Sequence, residues 1–287
     1  MNMLVSIILF YPTEENLLKI IKLSEIVKIL IVDNSDNDIF YINNNSNIDY
    51  VKLYKNHGIA HALNIACKKA IEQGYDWCVT LDQDSEISET YLNALHSFNQ
   101  NEINVKIGVL APQYISNEKL IINTSEKFSI KNEVITSGSC INLNAYKEIG
   151  GFRNDFFIDA VDFAYCWDLR KKGYKIIQMN YVFINHHLGE YNYEYKIKNK
   201  HIASITNHSA LRKYYIVRNN LTLRREYKQI FPKECKLIKK KLFHLLLKVV
   251  IFENNKLKKI KAMFLGFKDY KHNRMGKITE EVEKRIN

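Results

Sequence analysis

The stretch from Leu4 to Ser85 alternates short apolar runs with helical stripes, and this alternation constrains the fold more than any other feature. Apolar residues at helical spacing predict helices at Glu14–Ile26 and Ile59–Gln73, the second ending before Gly74. Strands separated by helices form parallel β-α-β units with right-handed crossovers. We therefore expect an α/β fold with a mostly parallel central sheet. The apolar runs rich in β-branched residues predict four strands, Leu4–Phe10, Lys28–Val32, Tyr50–Leu53 and Trp77–Leu81.

The second half of the chain is less regular. Its patterns predict strands at Val105–Pro112, Glu133–Ile141 and Tyr174–Met179, and helices at Asn142–Ile149, Asp162–Lys172 and Ser209–Glu226. Two basic helices are expected between Lys233 and Lys268. We predict an α/β domain over 1–225 and a basic helical extension over 226–287.

The positive charge is concentrated at the C-terminal end. The chain has 42 Lys and Arg against 31 Asp and Glu, a net charge of +11. From Pro232 to Asn287 there are 16 basic and 6 acidic residues, or +10, which leaves +1 for the rest. Such a block predicts contact with an anionic surface, either a membrane or a nucleic acid.

The apolar run Leu242–Phe252 has lysines on both sides. That pattern is typical of a helix lying in a membrane interface. The alternatives are a helix packed on its own domain and a homodimer contact. No helix-turn-helix spacing, zinc pattern or RNP-type strand accompanies the basic block, so we predict no nucleic-acid partner.

The five cysteines are widely spaced and contain no C-x-x-C pair. This favours reduced, mostly buried thiols and a cytoplasmic location, peripheral on the cytoplasmic membrane face if the basic helices bind lipid. Hydrophobic residues make up 46% of the chain, which excludes wholesale disorder. No apolar run reaches the length of about 18 to 20 residues that a transmembrane helix needs.

Two of the predicted strands run into acidic turns, at Asp33 and at Asp82-Gln83-Asp84. Ligands of such sheets bind beyond the carboxyl ends of the strands, and both turns would open onto that edge. Mg²⁺ and Mn²⁺ prefer oxygen ligands and are commonly shared between one or two carboxylates and a diphosphate. The alternative is an acidic surface turn.

A set of ordered motifs then becomes recognisable. It resembles the family 2 glycosyltransferases, and more narrowly their bacterial rhamnosyltransferase-like branch, over about residues 3–225. The motifs are Ile31–Ser35, Asn56–Asn64, Trp77–Ser85, Ser137–Ser139, Ile149–Phe152, Phe157–Asp162, Arg170–Tyr174, His186–Gly189 and Arg212–Asn219.

The resemblance implies a GT-A fold that uses a nucleoside-diphosphate sugar and a divalent metal, Mg²⁺ or Mn²⁺. It assigns Asp84 and His186 to the metal. His186 could equally be a surface residue, Asp33 a turn or cap residue, and Asn56 and Gly58 simply the start of a helix. The residues that it implies for donor binding are Pro12, Asp33, Asn34, Asn56, Gly58, Asp82 and Gln83.

Inverting sugar transfer needs a carboxylate to take the proton of the acceptor hydroxyl. The resemblance places this base at Asp162, where a helix N-cap is the plainer alternative and Asp159 is a second candidate. Arg212, Tyr215 and Arg218 are expected to contact substrate, since Arg suits phosphate oxygens and aromatic faces suit sugar rings. A helix that packs its tyrosines into a core is the alternative for this group.

The resulting hypothesis is an inverting, metal-dependent transferase for bacterial surface polysaccharide. Its branch implies dTDP-L-rhamnose as donor and a glycan or lipid-linked acceptor. The alternative donor is a UDP-sugar, either a UDP-hexose or UDP-galactofuranose. Less favoured are a non-catalytic nucleotide-sugar-binding protein and a nucleic-acid-binding protein.

Overall fold

The computed structural model describes residues 1–37, 45–115, 126–185, 193–197, 200–205 and 207–286. Contacts divide the chain into two compact units. Unit 1 comprises Met1–Asn154 and Val161–His187, and unit 2 comprises Asp155–Ala160 and Leu188–Asn287. Helix 210–227 therefore belongs to the same unit as the basic helices, whereas the predicted boundary at 225 assigned most of it to the α/β domain. The division into two functional domains at 225 stays a prediction.

Unit 1 is built on an eight-stranded sheet in the order β3-β2-β1-β4-β7-β5-β8-β6. Its strands are β1 (Met3–Leu9), β2 (Ile29–Asp33), β3 (Ile48–Lys52), β4 (Trp77–Asp82), β5 (Ile107–Ile115), β6 (Phe128–Lys131), β7 (Ser139–Asn142) and β8 (Lys175–Asn185). Its helices are α1 (Glu14–Ser24), α2 (Ile59–Glu72), α3 (Glu89–His96), α4 (Leu143–Ile149) and α5 (Val161–Lys171).

The expected mostly parallel sheet is confirmed. Strands β3, β2, β1 and β4 run parallel to one another, and β5 runs parallel to β8, whereas β7 and β6 run antiparallel to their neighbours. All seven residues of β1 are buried, as a strand covered on both faces requires. The first four strands and first two helices lie where the hydrophobic pattern placed them.

The predicted strand Glu133–Ile141 was wrong over most of its length, because β7 begins only at Ser139. Gly138 has a φ of +77°, a left-handed conformation that interrupts an extended strand. The structure instead has β6 just upstream. Helix α3 and the antiparallel pair β9 (Tyr193–Ile197) and β10 (Lys200–Ile205) were not predicted.

In its described residues, unit 2 contains β9, β10 and the helices α6 (Ala210–Tyr227), α7 (Pro232–Ile251), α8 (Lys256–Lys271) and α9 (Glu280–Ile286). The two expected basic helices are α7 and α8. A Cβ on Gly266 of α8 would lie 2.4 Å from the carbonyl oxygen of Tyr214, so only glycine allows α8 to approach α6 this closely. Within the described residues, none of the helices has the length and apolar character needed to cross a bilayer. All five cysteines are buried and unpaired, as expected.

Candidate functional site

The two acidic strand ends lie on either side of β1, at the carboxyl edge of the parallel strands. Asp33 of β2 is in register with Leu9, and Asp82 of β4 is in register with Ile8. With strands spaced about 4.8 Å apart, the two backbones are separated by about 10 Å. The prediction that both acidic turns lie at the same edge of the sheet is confirmed.

Asp33 is fully buried, and the chain itself satisfies its carboxylate. Tyr50 donates to Oδ2 at 2.6 Å, Lys52 forms an ion pair with the same oxygen at 2.9 Å, and the backbone N–H of Ser35 donates to Oδ1 at 2.9 Å. Burial alone would raise the pKa of Asp33, but the hydrogen bonds from Tyr50, Lys52 and Ser35 lower it overall. This carboxylate is therefore ionised and held in place.

The loop after β2 is joined to the start of α2 by the amides that were assigned to the donor. Nδ2 of Asn34 donates to Oδ1 of Asn56 at 3.2 Å, and Oδ1 of Asn34 accepts from the backbone N–H of His57 at 2.8 Å. Gly58 donates to Oδ1 of Asn56 at 2.9 Å and has a φ of +88°. The structure thus brings together Asn34, Asn56 and Gly58, while their contact with a donor remains a prediction.

The turn at residues 82–84 is braced from three sides. The backbone N–H of Phe10 donates to Oε1 of Gln83 at 2.8 Å, and Nδ2 of Asn16 donates to the Gln83 carbonyl at 3.1 Å. The backbone N–H of Asp82 donates to Oγ of Ser137 at 3.0 Å. Pro12 is half-buried in the loop between β1 and α1, next to these contacts along the chain. The turn is therefore fixed before any ligand arrives.

The carboxylates of this turn lack the compensation that Asp33 receives. Burial, together with the negative charge of Asp84, raises the pKa of Asp82 to about 6, and no hydrogen bond or cation from the described residues offsets either cause. Asp84 is exposed. Two acidic oxygen donors separated by one residue, Asp82 with its raised pKa and the exposed Asp84, fit a hard divalent cation.

A complete protein-made metal site is not formed by the described part of the chain, where no group of three or more His, Cys, Asp and Glu residues is arranged for one. His186, the other predicted ligand, lies outside the described residues. Divalent metals in such sites commonly take further ligands from a diphosphate. Asp84 and Asp82 are the residues here that would hold the ion.

Asp162 lies in the first turn of α5, half-buried, and its Oδ1 accepts the backbone N–H of Phe163 at 2.9 Å. The charge of Asp162 also affects Tyr114 of β5. Burial raises the pKa of Tyr114, and the charges of Asp162 and Asp82 raise it further. Both carboxylates therefore raise the pKa of the same phenol, and the role of Asp162 as the base stays a prediction.

Unit 2 contains a strained segment that ends just before Asp162 in the chain. Phe157, Asp159 and Ala160 have φ values of 63°, 63° and 61°, which non-glycine residues rarely adopt. Nδ2 of Asn219 on α6 donates to the carbonyls of Phe156, Ile158 and Asp159 at 2.8, 2.7 and 2.9 Å. The segment is thus held mainly from α6, where the Arg218 guanidinium also donates to the carbonyls of Asp155 and Phe156.

The residues expected to contact substrate from α6 differ in exposure. Arg218 is buried, and its guanidinium donates to the carbonyl of Gly276 at 2.8 Å, while the buried Tyr215 stacks on Phe157 at 5.3 Å. These contacts favour the packing alternative for both residues. Arg212 is partly exposed and forms an ion pair with Asp159 at 2.8 Å, which engages the second candidate base.

Several residues around the site were not found by sequence reasoning. Tyr50 and Lys52 are two residues apart on β3, so they share a face of the sheet, and that spacing was the available signal. Ser137 lies in the Ser137–Ser139 motif but was not assigned to the site, and Tyr114 gave no signal in the sequence. A cavity of about 540 Å³ beside α1 is lined by Asp82 and Gln83 but not by Asp33, Asn34 or Asn56.

No protein-family model matches the chain. Among curated proteins, the chain is similar to the dTDP-rhamnosyl transferase RfbF of Shigella flexneri, with 28% identity over 200 residues. This match covers 62% of the chain and 64% of RfbF, so the chain spans less than two thirds of that relative's length.

Solved structures show the fold. Residues 1–349 of TarS from S. aureus superpose with a TM-score of 0.60 at 12% identity, covering 99% of this chain and 83% of that one. The mannosyltransferase PcManGT from Pyrobaculum calidifontis, in complex with GDP-Man and Mn²⁺, gives 0.54 at 13% identity, with coverages of 99% and 84%. The chain has a GT-A fold. The likeness to RfbF agrees with the resemblance to family 2 glycosyltransferases that the motifs indicated.

Proposed function

We propose that this protein is an inverting, metal-dependent glycosyltransferase that moves a sugar from a nucleoside diphosphate to a glycan or lipid-linked acceptor. The observation that carries the proposal is the uncompensated acidic turn at residues 82–84, beside the fixed Asp33 edge of a GT-A sheet. The similarity to RfbF and the GDP-Man and Mn²⁺ in PcManGT support it.

In this proposal each residue has a separate task. Asp33, Asn34, Asn56 and Gly58 form a rigid edge against which the nucleoside binds, and Asp84 and Asp82 hold the metal. The metal, when bound, offsets the charge that develops on the leaving diphosphate. Asp162 takes the proton of the acceptor hydroxyl as that oxygen attacks the anomeric carbon from the face opposite the diphosphate.

We propose dTDP-L-rhamnose as the donor, because the curated relative is a dTDP-rhamnosyl transferase. The second candidate is a UDP-sugar, supported by a TarS structure of the same fold that contains UDP-GlcNAc. The two candidates share the metal and the base, and they differ in the nucleoside and in the sugar that is transferred.

Calorimetric titration of the purified protein with dTDP, UDP and GDP, each with and without Mn²⁺, tests the donor. We expect Mn²⁺-dependent binding of dTDP in preference to UDP. A preference for UDP would retain the metal site and replace the donor. No nucleotide binding under any condition would refute the proposal.

The Asp162→Asn variant tests the base. We expect transfer to fall by roughly a hundredfold to ten-thousandfold, the usual contribution of a general base, while nucleotide binding stays unchanged. Asp76→Asn, at an exposed position before β4, is the matched control and should leave both unchanged. Turnover retained by Asp162→Asn would exclude this residue and direct the same experiment to Asp159.

A further inference from the structure

The outward face of α7 combines lysines and large apolar side chains in one stripe. Its members are spaced by three or four residues, so they share one side of the helix. The adjoining side of the helix is buried at Cys235, Ile238 and Val249. We call the stripe the α7 outer face, and it consists of Lys236, Lys239, Lys240, Phe243, Leu246, Leu247 and Val250.

The apolar half of this face is open to solvent. Phe243 is 59% exposed, Leu247 39% and Val250 46%. Just past the end of the helix, Leu257 at the start of α8 is 85% exposed, with the exposed Lys256 and Lys258 on either side. Contiguous exposed apolar side chains of this size mark an interaction surface.

The charge around the α7 outer face has one sign. Between Cys235 and Lys268 the sequence has ten lysines and one acid, Glu253. That acid is buried between Lys213 and Lys259, with ion-pair distances of 2.6 and 2.7 Å. No exposed carboxylate on this stretch therefore opposes an anionic partner.

We propose that the α7 outer face docks on a bilayer containing anionic phospholipid, with Phe243, Leu246, Leu247 and Val250 in the interface and Lys236, Lys239 and Lys240 at the headgroups. Interfacial helices have this combination of an apolar face and flanking lysines. A second copy of the chain fits less well, because a symmetric contact would bring two sets of lysines together without acids. The proposal is independent of the proposed transferase activity.

Flotation of the full-length protein with vesicles tests this inference. We expect binding to vesicles of one part phosphatidylglycerol to three parts phosphatidylcholine, weakening as salt is raised, and little binding to pure phosphatidylcholine. Each lysine near an anionic surface strengthens binding about fivefold, so the triple variant Lys236→Gln, Lys239→Gln, Lys240→Gln should bind about a hundredfold more weakly. The control, Lys68→Gln, Lys147→Gln, Lys172→Gln, removes the same charge from exposed sites in unit 1 and should bind like the wild type.

The apolar side chains are tested separately by Phe243→Ser with Leu247→Ser. We expect this pair to lose vesicle binding, and Leu18→Ser with Ile130→Ser, two comparably exposed positions of unit 1, to retain it. Equal binding to both vesicle types, or equal loss in the lysine control, would overturn the proposal. Absence of vesicle binding would also overturn the proposal. If sedimentation then showed a dimer that the α7 variants dissociate, the α7 outer face would be a contact between two copies of the chain.

Discussion

Asp33 and Asp82 end strands on either side of β1, yet their charges meet opposite surroundings. Tyr50, Lys52 and the Ser35 backbone compensate Asp33, whose pKa is lowered, whereas burial and Asp84 raise the pKa of Asp82 to about 6. The first carboxylate is completed by the fold and stabilises it. The second is left incomplete at a cost in free energy, which is what a residue reserved for a ligand would show.

The largest expected effect is at the acidic turn formed by residues 82–84. Asp84→Asn should weaken Mn²⁺-dependent nucleotide binding by roughly a hundredfold or more. The substitution removes a charged ligand of the metal, and the metal in turn offsets the charge of the diphosphate. Calorimetry with and without Mn²⁺ measures this. Asp36→Asn, in the other acidic turn, is the matched control. Equal losses in the two variants would mean that the turns are equivalent, and would break the comparison.

Asp33→Asn should reduce the free energy of unfolding by about 3 kcal/mol, because it leaves the buried ammonium of Lys52 without its partner. Urea denaturation measures the change. The control is Asp49→Asn, which breaks the partly exposed ion pair with Lys28 and should cost less than about 1 kcal/mol. An unchanged midpoint for Asp33→Asn would contradict a structural role.

Asp82→Asn should have the opposite sign and stabilise the metal-free protein at pH 8 by about 2 kcal/mol. The raised pKa means that the folded state binds a proton more readily than the unfolded chain between about pH 6 and 3.8. As pH falls through 6, protonation of Asp82 therefore raises the free energy of unfolding of the wild type. By about pH 4 the wild type and Asp82→Asn should be equally stable. Denaturation at several pH values in chelator measures this. Destabilisation at pH 8 would show that Asp82 is compensated after all.

The smallest expected effect separates the contributions of Tyr50 and Lys52 to the compensation of Asp33. Tyr50→Phe removes one hydrogen bond to Asp33 and leaves the Lys52 ion pair, so it should cost about 1 kcal/mol of unfolding free energy. Urea denaturation again measures it. A cost as large as that of Asp33→Asn would mean that Tyr50, and not Lys52, carries the compensation.

Much of unit 1 was predictable, because hydrophobic period and acidic turns are local signals. The strands at Leu4–Phe10 and Lys28–Val32, and the shared edge of Asp33 and Asp82, followed from them. The break before Ser139 depends on the left-handed backbone of Gly138, and the burial of Arg218 depends on distant carbonyls such as that of Gly276. Such features arise from tertiary contacts that no local pattern encodes.

The strained segment at residues 155–160 has a consequence for the order in which the protein assembles. The chain leaves unit 1 after Asn154, returns at Val161, and completes unit 1 before α6 exists. Asn219, whose amide holds the segment, follows it by about sixty residues, so at roughly 5–20 residues per second the ribosome delivers it about 3 to 12 s later. During that interval the carbonyls of Phe156, Ile158 and Asp159 are without their amide donor. The backbone leading into Asp162 therefore reaches its final shape only once α6 has emerged from the ribosome.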